Sequence, residues 1–507
     1  MACAAQSHRR WFLPFVVGAF LASGLLLGAS NSAQGQEPGG LQAAVALESL
    51  LVDAIAKAEK SVVAVARLRK QSQDASPAAE LGEGLTGEGA DLFSDPTRPD
   101  YVPHDFGSGV VIDARGLILT TYHVVGDIPN SRYLVWIGRK PYPATVKAAD
   151  PWLDLAILKI EANDLQPMPL GDSKGLRKGQ IVLALGNPYA IARDGEPSAT
   201  WGIVANLSRP APPAPERAGA GSSEGRFTLH HYGNLIQTDA RLELGSSGGA
   251  LVNLQGELVG ITTSLAALVG YEKSGGFAIP VDEDFRRSLE TLKAGRVPEY
   301  GFLGVAPTFL AAEERRQGRF GARLLDVVPA TPAAKSGLQA GDVITHVEGL
   351  PVSDELQLIR RLSGLPADTS VQLTLERGGG ANRRGKVTTS KVTLSKKRVE
   401  GPRPAFAEQA EPSWRGLRVE YATATPQFRD HSRDLDPEGT LGVVNVDKDS
   451  AAWKAGLRPG DFISHVGKSR VTTPKQFYLS TADLRGSVSL KLSGLVTGPD
   501  TRTIAAE

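Results

Sequence analysis

Cysteine is almost absent from this chain of 507 residues, and its one copy, Cys3, lies close to the N-terminus. A mature protein that has lost its first residues would therefore contain no disulfide and no cysteine nucleophile. An excess of charge is also missing, since 56 lysines and arginines stand against 55 aspartates and glutamates. Nucleic-acid binding requires a concentrated basic surface, so this composition argues against it.

Long apolar runs are limited to one, at residues 11–28. Two arginines precede it and small residues follow at 29–35, which is the pattern of a cleaved signal peptide. The run is also near the minimum length for crossing a bilayer, so an uncleaved membrane anchor is the alternative. We expect export to the periplasm or cell envelope.

Three separate motifs carry the residue types of nucleophilic catalysis. His123 comes first, Asp154 opens an apolar stretch, and Ser247 lies in the Gly-Ser-Ser-Gly-Gly run at 245–249. Alone, each motif has an ordinary explanation, and a Gly-Ser run is usually a turn. Together they fit a serine that attacks a carbonyl, a histidine that takes its proton, and a carboxylate that orients the histidine. The order along the chain is that of chymotrypsin.

The surrounding sequence favours the catalytic interpretation. Residues 107–121 predict a β-hairpin that delivers His123 to a loop at a strand end. Glycines on both sides of Ser247 let the backbone turn sharply, so that the amides of Gly245 and Ser247 can point at one place. Two such amides form an oxyanion hole, which stabilises the charged intermediate of acyl transfer.

From about residue 105 to 282 the chain resembles the HtrA/DegP-type trypsin-like serine proteases. The similarity lies in further motifs that follow in the family's order: Gly-Asn-Pro-Tyr at 186–189, Gly-Ile-Val at 202–204, Ile-Gln-Thr-Asp-Ala at 236–240 and Gly-Phe-Ala-Ile-Pro at 276–280. The resemblance implies two perpendicular six-stranded β-barrels with the active site between them. It makes His123 the general base, Asp154 its orienting partner and Ser247 the nucleophile.

The same resemblance implies that Thr263, Ser264 and Leu265 line the strand that binds substrate. Two positions depart from the family. Ser246 stands where the family usually has asparagine, which we expect to be tolerated because the backbone forms the oxyanion hole. Trp201 stands where a small residue is more common, which leaves the shape of the specificity pocket open.

The C-terminal half contains an internal repeat. Residues 335–347 return at 454–466, a shift of 119 positions, with eight of the thirteen residues identical. Such identity indicates two copies of one module. The shared pattern, small residues followed by Gly-Leu-x-x-Gly-Asp-x-Ile, resembles the helix, turn and strand of PDZ domains.

A PDZ domain binds a peptide as an added strand at a sheet edge, while loop amides hold the terminal carboxylate of the peptide. In the first copy Phe302, Leu303, Gly304 and Val305 match that loop. We expect Gly304 to leave the loop amides unobstructed. The alternative is a strand start that binds nothing.

In the second copy the candidate loop runs from Gly416 to Val419, with Arg418 where glycine is expected. Peptide capture and a role in packing or assembly therefore both stay open for this copy. His346 and His465 recur at matching positions. Because no other ligand type clusters near them, we interpret them as partly exposed strand histidines rather than metal ligands.

The segments between these domains have distinct compositions. Leu47, Leu50, Leu51 and Ala54 share a helical face, in a region that resembles the segment through which the family trimerises. Residues 71–104, rich in Gly, Pro, Ser and acids, predict a long mobile loop.

A second loop is predicted at 208–224, in the place where the family senses an allosteric signal. His230 and His231 follow this loop. Adjacent histidines point apart on a strand, so we expect solvent exposure rather than a metal pair.

We predict a multidomain, mainly β protein: a chymotrypsin-like double β-barrel followed by two α+β PDZ domains. The predicted limits are a signal peptide at 1–35, an N-terminal helix, strand and loop at 36–105, a protease domain at 106–298 that includes a first strand near 61–68, a first PDZ domain at 299–398, a linker at 399–413 and a second PDZ domain at 414–507.

The predicted function is an exported, ATP-independent serine endopeptidase that degrades unfolded or misfolded proteins. We expect no cofactor and no metal. The expected partners are unfolded polypeptides and C-terminal peptides, together with copies of the same chain in a trimer-based homo-oligomer. The alternative is a PDZ-based chaperone or scaffold whose protease fold is idle.

Overall fold

The computed structural model describes residues 39–70, 103, 105–187, 196–211, 228–263, 276–380, 383–401, 403–494 and 498–506. The predicted signal peptide and the possible anchor, the loop at 71–104 apart from Pro103, and Ser264 and Leu265 lie outside these residues. By internal contacts the chain divides into a unit of residues 1–49 and a larger unit of residues 50–507. Among the described helices, none combines the length and the apolarity that crossing a bilayer requires.

The first helix, α1 (Gly39–Ala58), buries only part of the apolar face that the sequence predicts. Ala54 is buried and Leu51 packs beside it. Leu47 and Leu50 stay exposed, at 37% and 49% of their surface.

Six strands form the first closed barrel, because β5 pairs with β4 on one side and with β6 on the other. The predicted hairpin is confirmed, since β2 and β3 pair in antiparallel fashion. The short helix α2 (Tyr122–Val125) follows β3 directly. The strands are β1 (Val62–Arg69), β2 (Asp105–Asp113), β3 (Leu117–Thr121), β4 (Ser131–Ile137), β5 (Lys140–Asp150) and β6 (Leu155–Ile160).

The second barrel also closes, in the order β10-β11-β12-β9-β8-β7. A large apolar core joins both barrels and includes side chains of the following helix, α3 (Glu283–Lys293). Asp282 caps that helix by accepting a hydrogen bond from the backbone amide of Phe285 at 2.9 Å. The strands are β7 (Ile181–Gly186), β8 (Ser198–Arg209), β9 (Leu235–Thr238), β10 (Ala250–Val252), β11 (Leu258–Thr263) and β12 (Gly276–Pro280).

The first PDZ domain is a β-sheet with its own core, covered by helices. Its strand β14 lies at the edge of the sheet and pairs only with β15 in the described chain. The strands are β13 (Gly301–Phe302), β14 (Val305–Phe309), β15 (Ala322–Val327), β16 (Val343–Val347), β17 (Leu350–Pro351), β18 (Ser370–Arg377), β19 (Lys386–Thr393) and β20 (Ser395–Lys396). The helices are α4 (Ala312–Arg316), α5 (Pro332–Lys335) and α6 (Glu355–Ser363).

The second PDZ domain repeats this sheet around a separate core, as the sequence repeat predicts. A further apolar cluster joins the two PDZ domains through Phe302 of the first and Phe428 and Phe462 of the second. The strands are β22 (Leu417–Tyr421), β23 (Leu441–Val446), β24 (Phe462–Val466), β25 (Ser469–Arg470), β26 (Val488–Ser493) and β27 (Thr501–Ile504), and the helices are α7 (Phe428–His431), α8 (Ala451–Lys454) and α9 (Pro474–Thr481).

The linker between the PDZ domains contains a short strand, β21 (Phe406–Ala407), that extends the first barrel by pairing with β5. The hydroxyl of Tyr122 donates to the carbonyl of Pro404 at 2.9 Å, beside the predicted general base. Lys147 on β5 pairs with Glu408 at 2.9 Å. The linker is therefore attached to the barrel that carries His123.

Candidate active site

His123 and Asp154 meet through two hydrogen bonds. The Nδ1 atom of His123 lies 2.8 Å from Oδ2 of Asp154, and the backbone amide of His123 donates to Oδ1 at 3.0 Å. Asp154 is only 2% exposed, so its carboxylate acts in a low-dielectric setting. Oδ2 thus holds the ring of His123 in one orientation, while Oδ1 holds the backbone of the same residue.

The contact between His123 and Asp154 follows from the helix and the turn that carry them. His123 lies in α2, directly after β3, and Asp154 ends the turn that joins β5 to β6. Asp154 has a φ of 55°, in the left-handed region. Its carbonyl accepts the backbone amide of Tyr122 at 3.0 Å, which attaches this turn to the histidine segment.

The segment that carries Ser247 packs closely against β2, at positions where glycine leaves room for it. The amide of Ser108 on β2 donates to the carbonyl of Ser247 at 2.8 Å. A Cβ at Gly107 would lie 2.6 Å from the side chain of Val124 and 3.0 Å from that same carbonyl oxygen. The serine segment and the histidine segment therefore meet over a strand that has no room for a side chain at position 107.

Gly248 shows the same constraint more strongly. Its φ is 86°, and a Cβ there would lie 2.1 Å from the carbonyl oxygen of Ser108. Backbone cannot move aside as a side chain can, so this position requires glycine. Glycine at position 248 thus allows the loop that carries Ser247 to pack directly against the backbone of β2.

The serine–histidine hydrogen bond is not formed in this structure. The Nε2 atom of His123 is buried and has no hydrogen-bond partner among the described residues. In serine hydrolases without substrate this contact is often long and tightens on binding.

Gly245, predicted to supply an oxyanion-hole amide, has a φ of 95°. A Cβ there would lie 2.5 Å from the carbonyl oxygen of Asn187 and 2.7 Å from the ring of Phe106. Ser246 supports the turn, because its hydroxyl accepts the amide of Glu243 at 3.2 Å. The serine in place of the family's asparagine therefore has a structural partner.

Ser108 is a residue whose role the sequence does not reveal. Its hydroxyl donates to the carbonyl of Gly245 at 2.7 Å and accepts the amide of Asn187 at 2.7 Å. Ser108 is completely buried and so clamps two loops of the second barrel onto the first. In the sequence, the Gly-Ser-Gly pattern at 107–109 indicates that other segments approach this strand closely, because glycines in a strand often mark such an approach.

Of the residues predicted to bind substrate, the structure describes only one. Thr263 is buried at the end of β11, whereas Ser264 and Leu265 lie outside the described residues. Trp201 on β8 is 60% exposed, so most of its side chain is in contact with solvent. In the described part of the chain, no group of three or more His, Cys, Asp or Glu side chains is placed to hold a metal ion.

The predicted exposure of His230 is wrong. This side chain is fully buried, with Nε2 2.8 Å from the carbonyl of Leu153 and Nδ1 2.7 Å from Oδ1 of Asn234. The segment forms a single 3₁₀ turn, Leu229–Tyr232, and not a strand, so the alternation of a strand does not apply. His346 and His465 are partly exposed on their strands, as predicted.

In the first PDZ domain, Leu303 is buried in the domain core and Val305 packs beside it. Phe302 instead packs against the second PDZ domain. Gly304 has a φ of 88°, and a Cβ there would lie 2.2 Å from Thr331. Close packing against Thr331 and the left-handed backbone explain this glycine.

The predicted register of the second PDZ loop is wrong. Gly416, with a φ of 76°, packs against Ser450 as Gly304 packs against Thr331. Arg418 is therefore not in the glycine position, and Arg415 takes the place of Leu303. The guanidinium of Arg415 donates to three backbone carbonyls, of Leu484, Gly486 and Ala505, at 2.8–2.9 Å.

Comparison with known proteins agrees with this architecture. A trypsin-like peptidase domain model matches residues 107–261, and PDZ domain models match residues 301–389 and 442–492.

Among curated relatives, the periplasmic pH-dependent serine endoprotease DegQ of Escherichia coli K12 is 30% identical over 89% of this chain and 90% of its own length. The periplasmic serine endoprotease DegP of Salmonella typhimurium LT2 is 36% identical over 70% of this chain and 67% of its own length. Among solved structures, the HtrA-type protease AlgW with a tripeptide is 25% identical, covers 70% of this chain and 98% of its own, and gives a TM-score of 0.48.

Proposed function

Since this chain belongs to the HtrA-type periplasmic serine endoproteases that include DegQ and DegP, we propose that His123, Asp154 and Ser247 are its catalytic triad. The observation that carries the assignment is the double hydrogen bond between His123 and the buried carboxylate of Asp154. Ser247 follows from its seat on β2, beside the histidine segment.

The reaction proceeds through a covalent acyl-enzyme. The Oγ atom of Ser247 attacks the peptide carbonyl while Nε2 of His123 takes its proton, and the same proton then passes to the leaving amine. A water molecule, deprotonated by His123, attacks the ester and releases Ser247. The amides of Gly245 and Ser247 stabilise the oxyanion in both steps.

The substrates are unfolded or misfolded polypeptides in the periplasm, cleaved without ATP, and Thr263, Ser264 and Leu265 line the strand that binds them. Incubating the protein with unfolded casein tests this function against an idle scaffold. Fragments from the parent, and none from Ser247→Ala, support the endopeptidase. Suppressed aggregation by both forms with no fragments would support the scaffold.

Only the first PDZ domain captures peptides. Its edge strand β14 is open in the described chain, with Phe302, Leu303, Gly304 and Val305 at the start of the groove. In the second domain the groove is closed by the linker that precedes it. The hydroxyl of Tyr478 on α9 accepts the amide of Val419 on β22 at 3.3 Å and donates to the carbonyl of Pro412 at 2.7 Å.

Two matched substitutions test this difference. Ile359 on α6 is the counterpart of Tyr478, 119 positions earlier in the repeat. Ile359→Glu places a charge on α6 at the position that Tyr478 holds on α9, and we expect it to weaken binding of a peptide with an apolar C-terminus more than tenfold. The measurement is calorimetric titration of the full chain, with one site per chain expected.

Tyr478→Glu serves as the control and should leave this affinity within about twofold, because the same charge enters a groove that binds no peptide. The opposite pattern, weakening by the change at Tyr478 and none at Ile359, would assign peptide capture to the second domain.

The protein functions as a trimer-based homo-oligomer after export and signal cleavage. The exposed leucines of α1 support the oligomer, and the arginine pair and apolar run at 11–28 support export. N-terminal sequencing of the exported form decides between cleavage near residues 32–35 and an anchor retained at 11–28. Sedimentation of the same sample gives the number of chains.

A further inference from the structure

The turn that carries Asp154 has a strained end. Asp154 adopts a φ of 55°, which is uncommon for a residue with a side chain, because Cβ approaches the carbonyl oxygen there. A conformation of this kind persists only when the surrounding structure holds it. The turn Asp150–Asp154 therefore needs fixed partners for the catalytic carboxylate to stay in place.

Asp150 provides one set of these contacts from within the turn. Its carboxylate accepts the backbone amides of Trp152 at 3.0 Å and Leu153 at 3.3 Å. The side chain is 1% exposed. It also accepts the hydroxyl of Tyr300, whose pKa is raised by burial and by Asp150, so that the hydroxyl stays protonated as a donor.

Tyr300 connects the barrels to the first PDZ domain, because its side chain lies in the apolar core of the barrels while its backbone is bonded to the PDZ domain. Its carbonyl accepts the amide of Lys397 at 2.6 Å, and the residue after it begins β13, which pairs with β20. Trp152 is held by the same domain. Its indole nitrogen donates to the carbonyl of Ser363 at 3.4 Å, and the ammonium of Lys397 lies 4.7 Å above its ring.

We propose that Asp150 and Tyr300 are positioning residues for Asp154, and that they tie the geometry of the catalytic carboxylate to the seating of the first PDZ domain. This inference rests on the proposed role of Asp154. Neither residue contacts the reacting atoms. Each acts by fixing the turn from which Asp154 reaches His123.

The charges around Asp150 give the proposal a pH signature. Burial raises its pKa to about 6, the nearby charge of Asp154 adds to this, and the hydroxyl of Tyr300 and the two amides oppose it. The other titratable groups around the turn include His123 at Asp154 and Tyr122, on which the charges of Asp154 and Asp150 act. They also include His230 at the carbonyl of Leu153, Lys397 above Trp152, and Arg287, whose charge acts on Tyr300. Above pH 6 the ionised carboxylate holds both amides, and below it the protonated carboxyl holds them more weakly.

The test uses full-length Asp150→Asn and Tyr300→Phe with a short chromogenic peptide, measured from pH 5 to 9. A lost or weakened hydrogen bond to a buried charge predicts a kcat about five- to tenfold lower, with KM within twofold. In Tyr300→Phe the acid limb of kcat moves to higher pH, because the hydroxyl that lowers the pKa of Asp150 is gone. In Asp150→Asn the contribution of this group to the acid limb disappears.

Tyr142→Phe is the matched control, because Tyr142 is a partly buried tyrosine on β5 with the ammonium of Lys140 over its ring. We expect this variant to keep the pH profile of kcat of the parent. Thermal unfolding of each variant separates loss of fold from loss of position. If Asp150→Asn does not fold, Tyr300→Phe alone decides.

An unchanged kcat and an unchanged acid limb in a folded Tyr300→Phe would overturn the positioning role, while casein cleavage by the parent would leave the triad standing. If the parent itself cleaves neither casein nor the peptide, the proposed function fails first.

Discussion

Replacing Ser247 by alanine will lower kcat by about a million-fold and leave substrate binding intact. The change removes the nucleophile, while the local fold depends on the backbone carbonyl of this residue, which accepts the amide of Ser108 at 2.8 Å. We expect the melting temperature and the affinity for unfolded casein to match those of the parent. The measurement is casein cleavage and peptide turnover at saturating substrate.

Ser246→Ala is the matched control for this experiment. The hydroxyl of Ser246 accepts the amide of Glu243 and takes no part in the attack on the substrate. Its loss should therefore lower the free energy of unfolding only by about the contribution of one hydrogen bond. Most turnover should remain. Cleavage that persists in purified Ser247→Ala at more than about a thousandth of the parent rate would show that another group is the nucleophile.

Asp154→Asn is expected to reduce kcat by about ten-thousandfold. An asparagine keeps the shape but offers one oxygen where the carboxylate offers two, and His123 uses both, through Nδ1 at 2.8 Å and its amide at 3.0 Å. The amide side chain can then favour the wrong imidazole tautomer, with the proton on Nε2. Such a ring cannot accept the proton of Ser247.

Asp127→Asn is the control, because Asp127 lies shortly after His123 and bonds the side chain of Asn130 in an exposed turn. Its kcat should stay within about twofold of the parent, since exposed polar contacts contribute little. Equal activity of Asp154→Asn and the parent would remove Asp154 from the mechanism.

The sequence predicts best where a local pattern determines the structure. The two apolar runs on either side of the turn at 113–116 form the expected hairpin, and the repeat at 335–347 and 454–466 folds into two similar modules. The contact of His123 with Asp154 is expected from the order His, Asp, Ser along the chain, which is that of chymotrypsin, and from the resemblance to the HtrA/DegP-type proteases.

The sequence predicts least where a residue acts through distant partners. His230 is followed by another polar histidine, yet the carbonyl of Leu153 and Asn234 satisfy it in the interior. The strand Phe406–Ala407 exists because β5 offers it an edge. Arg415 fills the position of a leucine because three carbonyls, far along the chain, converge on its guanidinium.

Covalent labelling by a fluorescent phosphonate, followed by mass spectrometry of the digested protein, tests the central assignment most directly. If a histidine oriented by a buried carboxylate activates Ser247, the adduct will map to the peptide that contains this residue and will be lost in Ser247→Ala and strongly reduced in Asp154→Asn. Absence of any adduct on Ser247, with and without a peptide bound to the first PDZ domain, in a preparation that cleaves casein would contradict it.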